Sequence, residues 1–234
     1  QRIEERSRKD AGSSLQAVVG TVQSSLREWY GAERDYAWRL ASRPAVVNAT
    51  EALLTVPRDP ESLRAAPEFQ ALREYISTQE SSKGALGIFL IAPDHISIFS
   101  MRDTNVGTKN LIETNRPGLL EEVFAGKTVL IPPIRSEVPL KVGKGRSVKG
   151  AATMFLAVPV HDATGTVLGA LTIRLDPATD FSRILKSERI GLSGESYAFD
   201  RDGWLLSESR FDEELMQIGL IEETEPSILR VRIV

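Results

Sequence analysis

No cysteine occurs among the 234 residues of this chain. That absence removes disulfides, thiolate nucleophiles, zinc–thiolate sites and iron–sulfur clusters together. It leaves the compartment open, because a periplasmic domain with a sound core needs no disulfide and a cytosolic one has none. Histidine is nearly absent too. His95 and His161 are the only two, both beside expected hairpin turns and not in a ligand spacing such as i, i+4, so no metal centre and no histidine general base is expected. Long apolar runs are missing: the longest, residues 85–92, is far short of the about 18 needed to span a bilayer. Gln1 begins no signal peptide, and any membrane segments are expected outside these residues. An excess of positive charge is also lacking. With Lys+Arg 29 against Asp+Glu 32 and a net charge of −3, no nucleic-acid partner held by counterion release is expected. What is present is 41% hydrophobic, 26% charged and 6% aromatic residues, the composition of a globular protein able to bury a sizeable core. The length fits one large domain, or one domain and part of another.

Between residues 14 and 40 there is no proline, and Leu15, Val19, Val22, Leu26, Trp29, Tyr36 and Leu40 follow alternating steps of four and three, broken only at Glu33. This predicts a long amphipathic helix whose narrow seam faces a partner helix or a domain core. Pro44 ends it. Helices are expected over residues 45–54 and 60–78, the latter with Asp59 as cap and Pro60 in the first turn. At Ser81-Ser82-Lys83-Gly84 the character changes. Residues 85–92 and 95–101 read as strands joined by the turn dipeptide Pro93-Asp94. A helix over 117–124, a strand over 127–131 closed by Pro132-Pro133, and a loop over 141–150 follow. Two strong strands, 152–160 and 166–175, are joined at His161-Asp162-Ala163-Thr164-Gly165. Five strands and one crossing helix predict an α+β domain with a five-stranded antiparallel sheet. A connecting helix over 178–186 leads to a second hairpin around Asp200-Arg201-Asp202-Gly203, a helix over 211–218 and a strand over 228–234.

Short motifs for chemistry fail on inspection. Gly191-Leu192-Ser193-Gly194-Glu195 lacks the final glycine of a nucleophile elbow, and no strand precedes it, so it reads as a capped turn. Gly145 and Gly150 frame something like a phosphate loop, yet Ala151-Ala152 stand where Lys-Ser/Thr is required. Lys141, Lys144, Arg146 and Lys149 make that segment basic, and it reads as a solvated loop, with a cationic flap over an anion pocket as the alternative. Asp200-x-Asp202-Gly203 lacks the remaining oxygen ligands of a calcium loop and reads as a hairpin turn. With no catalytic constellation and no cofactor motif, the chain is expected to be neither an enzyme nor a cofactor carrier. Arginines at element ends, Arg102, Arg116, Arg135 and Arg174, are suited to meeting a carboxylate or phosphate bidentately.

The order of elements, and above all GLSGESYAFDRDGWLLSESR at residues 191–210 together with VPVHDATGTVLG at 158–169, resembles the double Cache (tandem PAS-like, or PDC) sensor domains of bacterial membrane receptors. The resemblance implies an N-terminal helical spine over 1–80, a membrane-distal PAS-like subdomain over 81–176, a connecting helix over 177–190 and the start of a membrane-proximal PAS-like subdomain over 191–234, incomplete in these residues. It also implies a periplasmic position between flanking transmembrane helices, a small-molecule ligand in the distal subdomain, and a homodimer along the first helix through Leu15, Val19, Val22, Leu26 and Trp29. A sensor histidine kinase is the favoured receptor.

Amino-acid-sensing members carry Arg-x-Trp-Tyr/Phe on the pocket helix, an aromatic on the next strand and an Asp in the last. Here Arg116-Pro117-Gly118-Leu119 keeps only the arginine, Pro133-Ile134 fall at the aromatic and Thr172 at the Asp. An ammonium buried without a carboxylate would cost several kcal/mol, so the expected ligand is a carboxylate or other small anion. Strand alternation puts Met154, Leu156 and Val158 on one face and Ala170, Thr172 and Arg174 on one face of the next strand. The expected ligand-binding set is Arg116, Arg135, Met154, Thr172 and Arg174, with Thr172 and Arg174 opposite Met154. The alternative is a dimerisation or protein-interaction module without a small ligand.

Overall fold

A computed structural model describes residues 2–79, 87–142, 146–187, 194–222 and 226–233. The expected linker Ser81-Ser82-Lys83-Gly84, the Gly191-Leu192-Ser193 part of the capped turn and the tip of the 141–150 loop lie outside them. Helix α1, Arg2–Ala41, stops at the bend before α2, Pro44–Leu54. Pro44 takes the first turn of α2, where its missing N–H would have had no partner. The single helix expected over 60–78 is two, α3, Pro60–Ala65, and α4, Pro67–Gln79. Pro67 forces the preceding Ala66 into an extended conformation, φ −64° and ψ 131°, and so ends α3. Asp59 caps α3 as expected, accepting the Ser62 N–H at 2.8 Å.

Strands β1, Ile88–Ile91, and β2, Ser97–Ser100, form the first hairpin. Two short helices follow, α5, Leu111–Asn115, and α6, Leu119–Phe124, where one was expected. Strand β3, Val129–Arg135, runs through Pro132-Pro133 and does not end there. It lies at the edge of the sheet, where a strand edge without a partner needs no proline N–H. Part of the expected 141–150 loop is strand: β4, Leu140–Val142, pairs with β5, Arg146–Val148. Leu140, Val148 and Ala151 are buried together, an apolar set that the intervening lysines hide in the sequence. Strands β6, Ala152–His161, and β7, Val167–Leu175, complete a five-stranded sheet of order β2-β1-β7-β6-β3. A π-helical turn over Pro177–Phe181 runs into α7, Ser182–Ser187, and α8 spans Asp212–Gln217.

The chain divides into two compact units. One comprises Ala32–Glu137 and Thr153–Leu175, and the other Gln1–Gly31, Val138–Ala152 and Asp176–Val234. In the first, α2 packs on β2 and β7, and α4 reaches β2 through Phe69 and Phe99, whose rings lie 4.9 Å apart. Helices α5 and α6 contact β3, and α6 also contacts β7. In the second unit the expected turn forms at Asp200: its carboxylate accepts the N–H groups of Asp202 and Trp204, and Phe199 bridges to Leu205. The expected strand over 228–234 is reduced to a bridge from Arg232 to Trp204 and to bonds from the Leu229 and Ile233 amides.

Candidate functional site

The two faces of the sheet differ in chemistry, and register decides which residue lies on which. Across β6 and β7, Met154 pairs with Leu175, Phe155 with Arg174, Leu156 with Ile173 and Ala157 with Thr172. Cross-strand partners share a face. Met154 therefore lies with Leu156, Val158, Leu171, Ile173 and Leu175, all buried. The expectation that Thr172 and Arg174 lie opposite Met154 is corrected. The cause is a register shift between Val160 and His161: His161 pairs with Val167, but Val160 pairs with Gly169, leaving Leu168 as the extra residue. Continuing the His161–Val167 pairing seven residues along each strand would have set Met154 against Arg174. One inserted residue moves every later side chain to the other face.

The opposite face carries Thr153, Phe155 and Ala157 of β6, Ala170, Thr172 and Arg174 of β7, and Phe89 and Ile91 of β1. Phe89 and Phe155 meet edge to face, 6.0 Å between centroids. Ile112 of α5 and Leu120 and Val123 of α6 close over this cluster together with Ile131 and Ile134 of β3. Three buried polar side chains share this face, Thr153, Thr172 and Arg174. Arg174, 6% exposed, donates from Nε to the Thr153 hydroxyl at 2.8 Å. Thr172 is fully buried between Phe89 and Ala157, and its Oγ1 has no hydrogen-bond partner. Burying a hydroxyl without a partner costs about 1–3 kcal/mol.

No protein-family model and no curated protein sequence matches the chain. Solved structures do. The sensory domain of the Campylobacter jejuni chemoreceptor Tlp3 aligns with a TM-score of 0.57 at 11% identity, over 95% of this chain and 81% of that one. The ligand-binding domain of the Pseudomonas fluorescens chemoreceptor CtaA, solved with L-serine, gives 0.56 at 12% identity over 87% and 74%. The sensor domain of the Vibrio cholerae histidine kinase DctB gives 0.50 at 14% identity over 75% of this chain, and the chain spans 58% of that domain's length. The fold is that of these sensor and ligand-binding domains, as the resemblance to Cache domains implies. Its long first helix and five-stranded antiparallel sheet are the arrangement the sequence predicts.

Within the Cache-type fold the other expected ligand residues scatter. Arg116 ends α5 and is half-buried, with its Nε sealed from solvent. Arg135 ends β3 with its side chain exposed. The sequence does not single out Thr153, Phe89 or Phe155; for Thr153 and Phe155 of β6 the missing signal is the bulge, which no composition rule announces. A cleft of about 420 Å³ lies elsewhere: Ala41, Ser42, Pro44, Val47 and Asn48 line it with Pro159, His161, Asp162 and Ala163. Hydrogen bonds from the Thr164 side chain and the Thr166 N–H hold the Asp162 carboxyl below its ordinary range. That cleft is open to solvent, and Thr172 and Arg174 are not among its lining residues.

Along α1 the stripe changes role. Leu15 and Val19 are 55% and 51% exposed, whereas Val22 is 6% exposed. Leu26 and Trp29 are half-buried, and the Trp29 ring meets Phe181 at 6.1 Å. Of the five expected dimer residues, Val22 is thus covered by its own chain and has almost no surface to offer a partner, because the seam turns inward there.

Proposed function

We propose that this chain is the extracytoplasmic ligand-sensing domain of a membrane-bound signal-transduction receptor, with a sensor histidine kinase as the favoured output, and that it binds a small anion on the sheet face beneath α5 and α6. The observation that carries this reading is the buried Arg174 and Thr172 on the sheet face that meets the apolar cluster of α5, α6 and β3. A guanidinium and a hydroxyl aimed from one strand into an apolar layer are what a carboxylate needs, and small-molecule sites are apolar with a few such polar groups. The Cache-type fold supports a receptor role. CtaA binds L-serine, but Thr153, Thr172 and Arg174 supply hydroxyls and positive charge, which suit a carboxylate or phosphate and not an ammonium group. Binding that closes α5 and α6 on the sheet would bias a two-state receptor.

Thermal shift tests this with short mono- and dicarboxylates and inorganic phosphate, and with neutral α-amino acids as the contrast. One anion is expected to raise the midpoint, by about 2.7 kcal/mol of stabilisation at a hundredfold excess over Kd. The shift should vanish in Thr172→Val and Arg174→Met. An anion shift that survives in both variants would place the site elsewhere, and no shift with any anion would overturn the anion reading.

A homodimer through the exposed part of α1 is part of the proposal, and Leu15 and Val19 are the observation favouring it. Sedimentation of Leu15→Asp/Val19→Asp should show loss of dimer, whereas a native chain that is monomeric at high concentration would refute the dimer.

A further inference from the structure

The turn between β1 and β2 has the same backbone construction as the turns at Asp162 and Asp200, with Ala92 in place of the aspartate and His95 in place of the glycine. At Asp200 the Gly203 N–H donates to Asp200 O, and Gly203 has φ 84°. At the β1–β2 turn the His95 N–H donates to Ala92 O, and His95 takes the left-handed conformation itself, φ 67°. A non-glycine residue at positive φ is uncommon and calls for a reason. Here the reason is where the ring goes. Its Nε2 lies 2.7 Å from Glu121 Oε1 of α6, its Nδ1 lies 3.8 Å from Glu113 Oε1 of α5, and its plane stacks on Phe124 of α6 at 5.8 Å and 4°. The His95 carbonyl accepts the Asn110 N–H, next to the start of α5.

We propose that His95 is a proton-controlled latch joining the β1–β2 turn to α5 and α6, tight when the imidazole carries both protons and slack when it carries one. A neutral ring has one N–H and one lone pair. If the proton is on Nε2 and bonds Glu121, the Nδ1 lone pair faces a carboxylate oxygen of Glu113. Glu113 is little exposed, its side chain 15% and His95's 18%, and its Oε2 is sealed from solvent with no hydrogen-bond partner. A carboxylate with one oxygen sealed off favours a countercharge, and the doubly protonated ring supplies it, donating from Nε2 to Glu121 at 2.7 Å and facing Glu113 with its Nδ1–H at the ion-pair distance of 3.8 Å. Glu121 is 63% exposed, so its pairing is screened and Glu113 decides the balance.

The neighbouring charges are otherwise engaged or distant. Asp94 is bound by Arg58 and by the Ile96 N–H, Glu122 pairs with Lys127, and the Lys109 side chain is exposed. The two ring nitrogens address different carboxylates on opposite sides, so the arrangement is not a metal site. Histidine changes charge in the range that periplasmic pH covers. The latch stands independently of any ligand; only its bearing on affinity rests on the reading of the α5–α6 face given above.

Hydrogen exchange of residues 111–124, corrected for intrinsic rates and referenced to α2, tests it at pH 5.5 and 8. In the wild type, protection of that segment is expected to fall about tenfold from acid to alkaline pH, the scale of one hydrogen bond to a charged group. His95→Asn, which tolerates the left-handed turn, should be weakly protected at both. Glu113→Gln should be well protected at both, because an amide can donate to the neutral ring. The wild-type lead in thermal midpoint over His95→Asn, about 2–4 °C at acid pH, should close at alkaline pH. Equal pH dependence in the wild type and Glu113→Gln, or wild-type protection in His95→Asn, would overturn the latch. Loss of the anion shift with an intact latch would instead count against the binding site alone.

Discussion

The two faces of the five-stranded sheet are built from the same strands and serve different ends. The face toward α2 and α4 presents Leu90, Met154, Leu156, Val158, Leu171, Ile173 and Leu175, a set without a polar side chain. The face toward α5 and α6 admits Thr153, Thr172 and Arg174 among its phenylalanines. The first face contributes stability through burial at about 25 cal/mol per Å². The second gives some of that up by sealing a hydroxyl and a guanidinium away from water, which the proposed anion site would account for. The helices differ in the same way. The helices on the first face are 11 and 13 residues long, whereas α5 and α6 have five and six residues and are held partly by side chains, Asn110 and His95.

The comparison can be broken most severely on the apolar face. Leu156 is fully buried there, and Leu156→Ala should cost about 2–5 kcal/mol in urea unfolding, without altering which ligands bind. On the other face the lid comes next. Asn110 caps α5 through the Ile112 N–H and donates to Ser97 Oγ, both at 3.0 Å, so Asn110→Ala should cost about 1–2 kcal/mol and raise exchange in α5 first. Thr172→Val sharpens the contrast by reversing sign. Replacing an unpartnered buried hydroxyl with a methyl should leave unliganded stability unchanged or raise it by about 1 kcal/mol while the anion shift is lost. A destabilised Thr172→Val would mean that the hydroxyl is part of the packing and not held for a ligand.

The smallest effect is electrostatic and belongs to the rim of the apolar face. Burial pushes the Asp94 carboxyl up, but the hydrogen bonds from Arg58 and the Ile96 N–H and the Arg58 charge outweigh it and leave it lowered. Hydrogen bonding and charge from Arg73 lower Asp103. A carboxyl whose folded value lies below its unfolded value near 3.8 stabilises the fold above that value, and the contribution is lost as pH falls through the folded value. Thermal midpoints should therefore decline below about pH 4, and Asp94→Asn should lower the neutral-pH midpoint slightly while flattening the decline.

Much of this architecture could be read from residue order. Proline and glycine punctuation placed the bend at Pro44 and the turns at Asp162 and Asp200, and periodicity located the first helix and both long strands, because these depend on a few neighbouring residues. The break at Pro67 was equally local and legible, through the rule that disfavours a helical residue before proline. The pairing of β4 with β5 was harder, since its lysines mask the alternation of Leu140 and Val148. For the candidate site, Thr172 and Arg174 were recognisable as strand neighbours of one face. Thr153 was not, and Met154 was assigned to the wrong face.

The difference traces to Leu168. Alternation within a strand is a local property, so the amino-acid order alone settles that residues 170, 172 and 174 point the same way. Which residues of β6 join them depends on where the ladder takes in one extra residue, and that depends on how the turn, the sheet twist and the packing on both faces are satisfied together. The seam of α1 behaves likewise. Its apolar spacing is written in the sequence, but Val22 is covered and Val19 is not, a distinction set by where the rest of the chain ends up beside the helix.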